Sequence, residues 1–131
     1  MKELIDKLVR IEKDISSDKG PFLLFALFLR EDAQDLWDLL IAADWVEENK
    51  AESLKYLSTH LSKYLKPDEL IRLSRILPID SNNPGLKAIH KAIQIEHGNA
   101  EIKDSNFFGL QIRDAYLITS KRREAPNKRI K

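Results

Sequence analysis

The chain has 131 residues, 43% of them hydrophobic and 33% charged, with a net charge of +1, which describes one ordinary globular domain with its own core. It has no cysteine, which excludes disulfides, thiolate metal sites and thiol catalysis. The first residues lack the apolar core of a signal peptide, and no apolar run approaches a membrane span, so the cytoplasm is the expected location and no membrane partner is expected.

The small net charge hides an uneven distribution. Residues 121–131 hold six bases and one acid, leaving 16 bases against 20 acids in residues 1–120. Within that body, residues 31–52 hold eight acids and only Lys50 as a base. A globular domain over 1–120 followed by a basic, disordered tail over 121–131 is the expected organisation.

Leu4, Leu8, Ile11 and Ile15 recur at helical spacing, with charges on most other positions, including Glu12. They predict an amphipathic helix over about 2–16, ended by Gly20-Pro21. Phe22 to Leu29 is an eight-residue apolar run. Its length suits a strand covered on both faces, so it is expected at the centre of a sheet. A short polar connection leads to a second strand over Trp37–Ala43, paired antiparallel with the first. Asp44-Trp45-Val46-Glu47 fits a capping box that starts a helix running to about Leu65. Pro67 opens a short helical turn, and Ile76–Ile79 an edge strand limited by Pro78.

Asn83-Pro84 reads as cap and first residue of another helix, with Leu86, Ile89 and Ile93 on one face and His97-Gly98 as its close. A terminal hairpin follows, with arms over 100–105 and 110–119 and a turn over 106–109. Leu110, Ile112, Tyr116 and Ile118 are expected on one face, with Asp114 interrupting them. The order is α-β-β-α-(α)-β-α-β-β. It predicts an α+β domain with a mainly antiparallel sheet of about five strands and helices packed on it.

Chemistry is sparse. His60, His90 and His97 are too dispersed to form a metal site, and neither a phosphate loop nor a Ser-His-Asp arrangement is present, so no metal or cofactor is expected. Glu101-Ile102-Lys103 on a strand places an acid and a lysine on one face. With Asp38 from another strand, these residue types could hold Mg²⁺ near a phosphodiester, a nuclease-like arrangement. Phe107 and Phe108 in a turn either fold back on the core or present an anchor to a partner. Lys121, Arg122 and Arg123 begin the tail, which could bind nucleic acid by charge or dock on the acidic 31–52 stretch. The leading expectation is a protein-protein interaction or regulatory module without catalytic activity, with a second copy of the chain among the candidate partners. A Mg²⁺-dependent enzyme using Asp38, Glu101 and Lys103 is the first alternative, and nucleic-acid binding through the tail the second.

Overall fold

A computed structural model of the chain describes residues 1–30 and 35–123. The connection at 31–34 and residues 124–131 of the expected tail lie outside the described residues. The elements are α1 (Lys2–Lys19), β1 (Leu24–Arg30), β2 (Trp37–Ala42), α2 (Asp44–Glu48), α3 (Lys50–Tyr64), α4 (Pro67–Arg72), β3 (Leu73–Pro78), α5 (Pro84–Ala92), β4 (Ala100–Phe107) and β5 (Leu110–Ser120). They form a single-sheet α+β fold with strand order β3-β2-β1-β5-β4. The apolar run is the central strand: every residue from Phe22 to Leu29 is buried.

The sheet is mixed. β1 pairs antiparallel with β2 and β5, and β4 with β5, whereas β3 lies parallel to β2. The helices between β2 and β3 carry the chain back to the starting end of β2, as a parallel neighbour requires. Two apolar clusters cover the two faces. Leu4, Leu8, Ile15, Val46, Leu57 and Leu61 of α1–α3 pack on Phe25, Leu27, Leu39 and Ile41. Leu86 and Ile89 of α5 pack on Leu24, Ala26, Phe28, Leu40 and Leu117. Alternation along β1 sends neighbouring side chains to opposite clusters, which is why the run is apolar without a gap.

Several local expectations change. The helix expected from Asp44 is broken at Asn49, whose side chain caps α3 by accepting from the Glu52 amide. Glu47 does not close a capping box: its carboxylate accepts from the Ser81 amide and hydroxyl, tying α2 to the turn before α5. α5 ends at Ala92, so His97 belongs to the following loop, with φ 54. Its ring Nδ1 lies 2.6 Å from an oxygen of Glu12, and its amide donates to Thr119 Oγ1. Thr119 in turn donates to the second Glu12 oxygen at 2.8 Å.

Glu12, expected on the solvated side of α1, is fully buried. Helical spacing places it on the stripe of Leu8 and Ile15, so it was bound to face the sheet. Burial there is tolerated because both oxygens are hydrogen-bonded.

The terminal hairpin turns on Phe108 and Gly109, whose φ values of 55 and 72 are both left-handed, as a two-residue type I′ turn requires. Asp114 and Tyr116 share a face with Leu29 and Leu27, but Ile112 packs in the opposite cluster with Phe28. The register shift between Leu29 and Arg30, with Asp104 at φ 51 on the facing strand, switches the hairpin tip between faces. The expectation that Ile112 and Tyr116 share a face therefore fails at this bulge.

A candidate anion-binding cleft at one end of the sheet

Candidate residues on the sheet separate by face. Asp38 pairs with Phe28 on the α5 face. It is buried and accepts from Arg75 Nε at 3.1 Å and Nη2 at 2.9 Å, with Arg30 Nε 3.8 Å away. Glu101 and Lys103 lie on β4, cross-strand from Tyr116 and Asp114 on the other face. Three strand spacings, about 14 Å, separate β2 from β4. The structure does not bring Asp38 together with Glu101 and Lys103, and a shared Mg²⁺ has no geometric basis in these residues. Among the described residues, no group of three or more His, Asp or Glu side chains is placed to hold a metal ion.

Glu101 instead meets Asp114. Burial pushes the Asp114 carboxyl above the usual range, and its hydrogen bond with Glu101 and that group's charge push it further, while Lys103 opposes. Two carboxyl groups can hydrogen-bond only by sharing a proton. Asp114 Oδ1 is buried without a hydrogen-bond partner.

Phe107 and Phe108 fold back on the core. Their ring centroids lie 5.9 and 6.1 Å from that of Phe28, and Phe108 closes over Gly85 of α5. Both rings are half-buried, packed on that cluster with part of their surface left exposed.

The start of the basic tail is placed differently. At the end of the sheet where β1 begins and β5 finishes, Leu23 O accepts from the Lys121 amide at 3.1 Å and from His90 Nε2 at 2.8 Å. This one carbonyl fixes α5 and the segment 121–123 to the same strand end. Between them opens a cleft of about 710 Å³, lined among the described residues by Leu23, Ser81, Pro84, Ala88 and His90, and by Lys87, Lys91, Arg122 and Arg123. Lys87 and Lys91 are one turn apart on α5, a separation of about 6 Å along the axis. α5 contains no acidic residue that could neutralise them locally.

Two tail cations are already engaged. Lys121 Nζ is 2.7 Å from Glu96, and Arg123 forks onto Asp44 through Nε at 3.0 Å and Nη2 at 2.5 Å. That fork holds the Asp44 carboxyl below its usual range, against the smaller opposing effect of burial. Arg123 thus docks on the acidic stretch within the chain. Lys87, Lys91 and Arg122 form no ion pair among the described residues.

In the sequence Lys121, Arg122 and Arg123 stand out as a charge run, whereas Lys87 and Lys91 do not and His90 reads only as one of three dispersed histidines. An available signal was the pair of lysines at i, i+4 on a helix without acids. No helix among the described residues is long and apolar enough to cross a membrane. Comparison of the chain with protein-family models, with characterised proteins and with solved structures found no match, so the site is read from its own chemistry.

Proposed function

We propose that this chain is a regulatory binding module without catalytic activity, and that its ligand is an anion bearing phosphate-like charge held between α5 and residues 121–123. One observation carries the reading: Lys87, Lys91 and Arg122 converge on a cleft of about 710 Å³ with no counter-charge of their own among the described residues. Gathering three cations at one concavity is repulsive until an anion enters, and a concavity focuses the field that attracts one. The volume falls in the range of small-molecule sites. Leu23, Pro84 and Ala88 supply apolar wall, and the cations supply charge-assisted donors.

Calorimetric titration with inorganic tripolyphosphate tests this. Saturable binding that weakens with salt is expected, and Lys87→Ala with Lys91→Ala should weaken it by roughly tenfold or more per lost charged hydrogen bond. Equal affinity in the double variant rejects the cleft.

A nucleic-acid strand is the second reading. The observation favouring it is that Lys128, Arg129 and Lys131 continue the run of cations after Arg123 in the sequence. It requires affinity to fall steeply with salt and to drop when residues 124–131 are removed.

A further inference from the structure

Resting on the cleft reading above, we infer that the ligand is a single nucleotide, with its phosphates against Lys87, Lys91 and Arg122 and its base toward Trp45. The cleft does not end at Arg123. A second concavity of about 430 Å³ shares Leu23, Arg122 and Arg123 with it and continues past Gly20 and Trp45 to Asp44 and Glu48. Together they form one groove around the sheet end, from α5 on one face to α2 on the other.

The ends of the groove differ in polarity. The α5 end is lined by cations and no carboxylate, whereas the α2 end carries both carboxylates and an indole beside two lysines, of which Lys121 is paired with Glu96 and Lys19 lies 4.7 Å over the Tyr56 ring. A nucleic-acid backbone, charged along its whole length, would have to pass Glu48, whereas tripolyphosphate can stay at the α5 end and makes no use of the α2 end. A nucleotide matches the polarity: negative charge at one end, and a flat, neutral base with ring-edge amines at the other. Asp44 is occupied by Arg123, but Glu48 forms no ion pair among the described residues and can accept from an exocyclic amine.

Trp45 is held ready for such a contact. Its Nε1 donates to Gly20 O at 3.0 Å, and its ring meets Phe22 edge-on at 5.5 Å. Gly20, at φ 126, leaves room for this: a Cβ there would lie 3.3 Å from Trp45 Cδ1. A fixed aromatic ring at a groove wall contacts a base without ordering cost.

Titrations of the full chain with CTP, UTP, tripolyphosphate and single-stranded oligonucleotides of increasing length, followed by tryptophan fluorescence and calorimetry, test the assignment. CTP should bind roughly tenfold tighter than tripolyphosphate and quench the Trp45 signal. Trp45→Phe should abolish that quenching. CTP should also exceed UTP, because only cytosine offers Glu48 an amine, and Glu48→Lys, a surface change that spares the fold, should erase the preference.

If tripolyphosphate binds as tightly as CTP and Glu48→Lys changes nothing, the nucleotide assignment fails while the cleft stands. If affinity instead grows with oligonucleotide length beyond that of CTP, the ligand is a strand and the assignment is overturned. Failure of every phosphate compound to bind removes the cleft reading as well.

Discussion

Glu12 and Lys91 are both charged residues on amphipathic helices, and the fold treats them in opposite ways. Glu12 is fully buried and both its oxygens are hydrogen-bonded, by His97 and Thr119, within a packed interface between α1, β5 and the loop after α5. Lys91 stands at the wall of an open cleft with two further unpaired cations, Lys87 and Arg122, and no carboxylate in its lining among the described residues. Burial with complete pairing marks architecture, because a buried charge is tolerated only when its partners are built in. Unpaired like charges around a void mark a place for something else.

The largest effect separates these two cases. Glu12→Ala removes the common acceptor of His97 and Thr119 and opens a hole between α1 and β5. It should cost about 3 kcal/mol of unfolding free energy. Lys91→Ala should stay within about 0.5 kcal/mol. Urea denaturation of the two variants side by side reads both values. Comparable losses would erase the distinction between built-in and ligand-directed charge.

α5 draws the same contrast on one helix. Lys87 faces the cleft, whereas two residues earlier a Cβ on Gly85 would lie 2.4 Å from Phe108 Cδ1. That ring sits in a left-handed turn and against Phe28, with little room to retreat. Gly85→Ala should therefore destabilise the protein by about 1–2 kcal/mol, the scale of overpacking, and displace the hairpin tip. Thermal denaturation and the NMR shifts of the Phe108 ring would register both effects. An unchanged ring environment would mean that Phe108 is held by its turn rather than by α5.

How much of this was legible follows from the range of each interaction. Phe22–Leu29 announced the central strand because burial on both faces is written into consecutive residues. The α1 stripe and the hairpin with its Gly109 turn were equally local. The parallel pairing of β3 was not legible, since nothing near Leu73–Pro78 says which strand the chain rejoins after three helices. The face switch between Ile112 and Asp114 was hidden because strict alternation gives no warning of a bulge. Asp38 and Glu101 were linked by residue type alone, and strand order separates them. The cleft was half visible: Arg122 and Arg123 stood out in a charge run, but the fold alone brings Lys87 and Lys91 to them across more than thirty residues.

Asp114 lies between the two poles of the comparison, half-buried where Glu12 is fully buried, and incompletely neutralised like Lys91. Its carboxyl is raised by burial and by Glu101, so the folded chain holds a proton there more tightly than the unfolded chain does. Between the ordinary aspartate value and the raised one, stability must fall as pH rises, because folding there binds a proton that the unfolded state releases. Above that window the charged pair is a standing cost. Asp114→Asn removes the titration and supplies an amide donor toward Glu101. It should therefore stabilise the protein at neutral pH by about 0.5 kcal/mol, the size of a cross-strand pair. The gain should shrink as pH falls below the window, where Asp114 is already neutral. Thermal melts of both proteins from pH 3 to 8 would reveal the converging curves. A pH-independent difference would instead assign the effect to packing, and would leave the shared proton between Glu101 and Asp114 without support.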